Sequence, residues 1–192
     1  MKRYSIVCYL EGDDLSRVRA LQQKLTDLTG SRKCIDSWMP HLTLGNGIIV
    51  SEEEQVHVES LFEDIARNEH PFEIKLEGFG GTETWGGARE GVLTPYVLWV
   101  NPIKTDELQH LFETIRNKVT SGVDAFYRIA DYVPHITLAY GDLTKEGYEI
   151  GKQYLADSDF AGSISVNHIA LVENFPDKDI EYRRFYLKPR EM

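Results

Sequence analysis

Two short segments of the chain are nearly the same: Pro40-His41-Leu42-Thr43-Leu44 and Pro134-His135-Ile136-Thr137-Leu138. Each sets an imidazole two residues before a hydroxyl. On a strand, side chains alternate between faces. His41 and Thr43 therefore share one face, with Leu42 and Leu44 behind. His135 and Thr137 do likewise, with Ile136 and Leu138 behind. Two such pairs across a cleft make a symmetric site of four residues. That set suits in-line attack at phosphorus. The nucleophile must lose a proton and the leaving oxygen must gain one, on opposite sides of the phosphorus. Imidazole titrates near neutrality, so one histidine can act as base and the other as acid. The hydroxyls can donate to the non-bridging oxygens, where charge gathers in the transition state. This chemistry requires no metal and no cofactor.

A lone His-x-Thr would mean little. With six His and eleven Thr in the chain, random order gives about a third of one such match. Two copies of Pro-His-[Leu/Ile]-Thr-Leu at equivalent places in the chain's element order are far rarer.

The elements that must carry these segments repeat. Tyr4–Leu10 reads as a strand. Asp13 or Asp14 can cap a helix on which Leu15, Val18, Leu21, Leu25 and Leu28 recur, and Gly30 ends it. A polar loop leads to Pro40, and the first motif opens a strand running to about Val50. Ser51 and Glu54 form a capping box, and a helix with Val58, Leu61, Phe62 and Ile65 on one face follows. Phe72, Ile74 and Leu76 alternate with charged residues as a strand. Residues 78–91 read as a Gly-rich hairpin connection, without the Lys-Ser/Thr ending of a P-loop. The order then restarts, with a strand at Val92–Val100 and a helix capped by Thr105. A loop leads to the second motif, and a helix follows at about 145–156. A long strand at Ile164–Val172 pairs with Ile180–Leu187. The pattern is strand-helix-strand-helix-strand, twice, plus a terminal strand. It predicts one bilobal domain over 1–192, with half-repeats at roughly 1–80 and 91–192 and a pseudo-twofold relating the motifs.

Composition narrows the substrate. The formal net charge is −10, which disfavours a broad electrostatic footprint on long nucleic acid. A small phosphate ligand held by local donors remains compatible. Two cysteines are too few for a disulfide scaffold, no apolar run reaches membrane-span length, and no signal peptide is evident. A cytoplasmic monomer is expected, with no membrane partner.

The paired motifs resemble those of the 2H phosphoesterase superfamily, and in particular its 2′-5′ RNA ligase and cyclic phosphodiesterase branch. The resemblance implies an α+β bilobal fold, with two antiparallel sheets lining a central cleft and helices outside. It also implies metal-independent opening of 2′,3′-cyclic phosphates or related nucleotide linkages. Carried over by position, His41 and His135 become the acid–base pair and Thr43 and Thr137 the phosphate-binding hydroxyls. For opening to a 2′-phosphate, His135 would be the base and His41 the acid.

Trp38, Trp85, Tyr132, Tyr140 and Phe175 are aromatic candidates near the motifs or on loops, where a base could stack. Trp38, Tyr132 and Phe175 are retained as substrate-binding, with Arg183 as a phosphate or nucleotide contact. Strand alternation puts Tyr140 on the core side unless a bulge intervenes, and lets only one of Arg183 and Arg184 face the cleft. His168 sits on a strand and is expected to be buried. The resulting function is hydrolysis of a small cyclic or short oligonucleotide phosphodiester. Reversible 2′-5′ ligation of RNA and a non-catalytic nucleotide-binding module are the rivals.

Overall fold

A computed structural model describes residues 1–85, 95–122, 132–175 and 178–190. Its strands are β1 (Lys2–Tyr9), β2 (His41–Val50), β3 (Phe72–Thr82), β4 (Val97–Pro102), β5 (Ile136–Tyr140), β6 (Ala161–Val166), β7 (His168–Asn174) and β8 (Asp179–Tyr186). Its helices are α1 (Gly12–Thr29), α2 (Lys33–Ser37), α3 (Gln55–Asn68), α4 (Asp106–Gly122) and α5 (Lys145–Ala156). The result is an α+β fold built on a curled antiparallel sheet.

The strand order is β6-β3-β4-β5-β2-β1-β7-β8. The expected two sheets are thus two four-stranded halves of one sheet, and they meet where β2 pairs with β5 through a single bridge, Leu42 opposite Ile136. The β2-β1-β7-β8 half takes strands from both ends of the chain, and the β6-β3-β4-β5 half takes the four that lie between them in sequence. Helices cross over as well: α1, which follows β1, packs on β5, while α4, which follows β4, packs on β2. This exchange covers one face of both halves and leaves the other face lined by the motifs.

Local chemistry accounts for most boundaries. Gly30 ends α1 in the left-handed region at φ 76°, where its N–H bonds the Thr26 carbonyl. Ser51 and Glu54 exchange the reciprocal bonds of a capping box, the Ser51 N–H to Glu54 Oε2 at 2.8 Å and the Glu54 N–H to Ser51 Oγ at 3.3 Å. Thr105 accepts the Leu108 N–H. The buried faces of α1, α3, α4 and α5 meet β-strand residues such as Leu42, Leu44, Ile136 and Leu138 in one apolar core.

Four expectations need correction. Asp13 and Asp14 do not cap α1, which begins after Glu11; Asp14 instead accepts the Ser163 N–H and pairs with Arg17. The polar loop before Pro40 contains α2, whose first turn is held from a distance by Asp142, which accepts the Arg32 and Lys33 N–H groups. The start of the Gly-rich segment continues β3 to Thr82, and residues 86–91 lie outside the described residues, as do Val92–Thr94 of the strand expected at Val92–Val100. The expected Ile164–Val172 strand is two strands broken at Asn167: β6 pairs with β3 in one half, and β7 pairs with β1 in the other.

Candidate active site

The Leu42–Ile136 bridge is antiparallel. Its register sets His41 across from Thr137 and Thr43 across from His135. All four lie on the face opposite Leu42 and Ile136, which are fully buried in the core. Directly opposed side chains stand about 5 Å apart at Cβ, and diagonal ones about 7–8 Å. The two imidazoles occupy one diagonal and the two hydroxyls the other. Such an arrangement could hold a tetrahedral phosphate between the four side chains.

Both imidazoles are oriented the same way. His41 Nδ1 bonds the Met39 carbonyl at 2.6 Å, and His135 Nδ1 bonds the Val133 carbonyl at 2.9 Å. A carbonyl can only accept, so each Nδ1 carries a proton; Nε2 is then the lone-pair nitrogen of the neutral ring and the second N–H of the imidazolium. The intervening Pro40 and Pro134 explain the repetition. Proline fixes its own φ and biases the residue before it toward extended backbone, which turns the carbonyl two residues back onto the ring. Among the described residues neither Nε2 has a hydrogen-bond partner.

Each motif also carries a bulge at the same place. Val7 pairs with Thr43 but Ile6 with Gly45, so Leu44 is an extra residue. Trp99 pairs with Thr137 but Leu98 with Ala139, so Leu138 is extra. Next to each bulge, a side chain bonds the threonine carbonyl. Tyr132 Oη donates to the Thr43 carbonyl at 3.0 Å, and Gln22 Nε2 donates to the Thr137 carbonyl at 3.1 Å. The bulges re-aim the strands beyond the threonines, and these bonds hold the result.

The surroundings of the two histidines differ. His41 meets the Tyr9 ring edge-on at 6.2 Å between centroids and lines a cavity of about 350 Å³ whose wall includes Asp179, Glu181, Arg184 and Arg19. His135 is boxed by Trp85 and Trp99, at 4.7 and 6.0 Å between centroids. Trp99 Nε1 donates to Asn101 Oδ1 at 2.8 Å, across the bare backbone of Gly80. Burial lowers the pKa of both imidazoles from the ordinary value. The Met39 carbonyl and the Asp179 carboxylate partly restore His41. For His135 the Val133 carbonyl works against burial, while the neighbouring His41 lowers the pKa further.

The other expected contacts divide. Trp38 is half-buried, stacks on Tyr140 at 5.8 Å and lines the cavity with His41. Tyr132 is not a surface for a base: it is buried, stacked on Phe112 at 4.1 Å, and its hydroxyl is committed to Thr43. Arg183 points away from the cavity to Glu59 and Glu63 of α3. Arg184 takes the cleft side because a register shift skips Tyr182, so that Glu181 and Arg184 lie opposite Val172 and Ala170. Phe175 is exposed at the β7–β8 hairpin, where its N–H bonds the Lys178 carbonyl, and it does not line the cavity. Tyr140 lies with Val97, Trp38 and Trp99 on the cleft side, because the Leu138 bulge reverses the alternation. Tyr9, Trp99, Arg19 and Asp179 escaped the sequence reading. Only Trp99 left a signal there: it alternates with Leu98 and Val100, which belong to the core.

Among the described residues no group of three or more His, Cys, Asp or Glu side chains gathers as a metal site, and no described helix is long and apolar enough to cross a membrane.

No curated protein matches the sequence. Solved structures do. TT0787 of Thermus thermophilus is 23% identical with a TM-score of 0.72, covering 98% of this chain and 100% of that one. A structure described as a phosphoesterase is 18% identical with a TM-score of 0.66, covering 98% and 99%. Escherichia coli LigT complexed with 3′-AMP is 17% identical with a TM-score of 0.64, covering 97% and 98%. These likenesses establish the shared fold. The family model of the 2′-5′ RNA ligase superfamily matches residues 17–176, a span that includes both motifs, and the chain therefore belongs to that superfamily, the 2H phosphoesterases.

Proposed function

We propose that the protein is a metal-independent phosphodiesterase that opens 2′,3′-cyclic phosphates, or related small nucleotide phosphodiesters, by two-histidine acid–base catalysis. The observation that carries this reading is the Leu42–Ile136 register, with the same Nδ1-to-carbonyl bond on each side of it. Two free Nε2 atoms then face one phosphate from opposite ends of a diagonal. His135, unprotonated among indole rings, takes a proton from water. The water oxygen bonds to phosphorus as the bond to the 3′ oxygen breaks. His41 gives its Nε2 proton to that leaving oxygen, yielding a 2′-phosphate. The Asp179 carboxylate favours the imidazolium at His41, which suits it to the acid role. Thr43 and Thr137 donate to the non-bridging oxygens.

Turnover of 2′,3′-cyclic mononucleotides, with products resolved and chelator present, tests the reading. His41→Ala and His135→Ala should each lower the rate by about 10²–10⁴. Loss of turnover with chelator, or full turnover in either variant, would overturn it.

The superfamily's description as 2′-5′ RNA ligases favours a second reading. If an RNA 5′-hydroxyl replaced water, His135 and His41 would keep their roles and the product would be a 2′-5′ linkage; by microscopic reversibility they exchange roles only in the reverse reaction, cleavage of that linkage by the 3′-hydroxyl. RNA halves bearing a 2′,3′-cyclic phosphate and a 5′-hydroxyl distinguish the two: joined product supports ligation, and hydrolysed ends alone count against it.

A further inference from the structure

The cavity beside His41 contains charges whose pairing is uneven. Arg184 is held by Glu11 and Glu181, both at 2.9 Å. Asp36 is held by Arg32 at 2.8 Å. Arg19 of α1 lines the same cavity and forms no ion pair with a carboxylate among the described residues. Its contacts are neutral. Nη1 donates to Gln22 Oε1 at 3.2 Å and to the Ile35 carbonyl at 3.1 Å, and Nη2 lies 3.3 Å from Met39 Sδ. These use both Nη1 protons and one on Nη2. The Nε proton and a second Nη2 proton have no partner among the described residues.

A guanidinium stays protonated at any ordinary pH. Half-buried and lacking a carboxylate, it is a fixed positive charge whose desolvation is incompletely offset. Its two spare donors suit the paired oxygens of a phosphate. Met39 ties it to the chemistry: its sulfur touches Arg19, and its carbonyl orients His41. A cavity of about 350 Å³ is within the range of small-ligand sites, about 300–1,000 Å³.

We propose that Arg19 forms a second anion subsite, which takes a phosphate of the substrate other than the one between His41 and His135. The preferred substrate class is then a phosphodiester with a further phosphate, such as a 5′-phosphorylated nucleotide or a short oligonucleotide, rather than a nucleoside cyclic phosphate alone. This deepens the proposed function and rests on it for the placement of the first phosphate.

Calorimetry with adenosine 2′-phosphate and adenosine 2′,5′-bisphosphate, at one ionic strength, tests it. The quantity read is the ratio of the two affinities. The wild type should prefer the bisphosphate by about 10–100-fold, the range of a charge-assisted bidentate contact. Arg19→Met should bring the ratio near one, and Arg19→Lys should retain part of it. The same ratio in wild type and Arg19→Met, no preference in the wild type, or no measurable bisphosphate binding would each overturn the proposal. Should Arg19→Met not fold, Arg19→Gln replaces it. An Arg19-dependent preference in a protein that turns over no cyclic phosphate would refute the chemistry and leave the subsite standing.

Discussion

Leu42 and Ile136 pair across the junction of β2 and β5, and they are the one bridged pair there. Both are fully buried, and both lie between a histidine and a threonine in sequence. The pair acts as the local twofold centre of the site. Everything on the cleft face of one motif has a counterpart on the other: the imidazole, the hydroxyl, the Nδ1-to-carbonyl bond, the bulge after the threonine, and the side-chain donor to the threonine carbonyl.

The symmetry gives both hydroxyls the same place in the proposed mechanism. Thr43→Val and Thr137→Val keep the shape of the side chain and remove its donor. Each should lower kcat by about 10²–10³, the cost of losing one transition-state donor, with a smaller change in KM. Steady-state kinetics on the cyclic substrate measures this. An unchanged kcat in either variant would remove that hydroxyl from the chemistry.

The carbonyl supports make a separate expectation, this time about folding. Tyr132→Phe and Gln22→Leu each leave a threonine carbonyl beside a bulge without its side-chain donor. Leaving a buried acceptor unsatisfied costs about 1–3 kcal/mol. Denaturant unfolding should show that loss, and activity should fall with it because the carbonyl belongs to a threonine proposed to bind the phosphate. A variant as stable as wild type would mean that water replaces the donor without cost.

Much of this site was legible in sequence because its determinants are local. The motifs, their alternation and the prolines behind the histidines all lie within five-residue windows. The helix caps at Ser51 and Thr105 read correctly for the same reason. What sequence hid depends on distant contacts. Asp142 holds the start of α2 from more than a hundred residues away. The bulge at Leu138 reversed the expected face of Tyr140, and a register shift near Tyr182 sets Arg184 rather than Arg183 on the cleft side; a bulge has no reliable mark in a single sequence. Arg19 reaches the cavity because α1 packs against α2, which sets its guanidinium on the Ile35 carbonyl and the Met39 sulfur.

Gly80 shows how closely the His135 wall is packed. A Cβ there would lie 2.5 Å from Trp99 Nε1 and 2.7 Å from Asn101 Oδ1. Gly80→Ala must therefore break the Trp99–Asn101 bond or move the indole that flanks His135. The expected result is a shifted tryptophan emission spectrum and at least a tenfold loss of kcat, the order of effect that a displacement of about 1 Å near an active site produces. Wild-type emission together with wild-type kcat would show that the wall does not position His135.

Acid should weaken both catalysis and folding, by related routes. Burial lowers the pKa of His41, His135 and His168 from the ordinary imidazole value. His168 is fully buried, and its Nε2 accepts the Tyr9 N–H at 3.1 Å. A protonated Nε2 cannot accept that bond. Each ring therefore binds a proton more readily in the unfolded chain than in the folded one. The stability this gives is fully present above the unfolded imidazole pKa, about 6.5. It declines as pH falls below that value toward the lowered folded values. The proposed mechanism needs His135 neutral and His41 protonated, so the pH–rate profile should be bell-shaped, with both limbs displaced toward acid. His168→Gln keeps an acceptor for the Tyr9 N–H and cannot be protonated. It should flatten the stability curve below about pH 6.5 while leaving a bell-shaped rate profile. Thermal melts from about pH 5 to 8, the range in which imidazole titrates, run beside rate profiles on the same variants, separate the two effects. A stability curve for His168→Gln that still falls as steeply as wild type would assign the acid sensitivity to His41 and His135 instead.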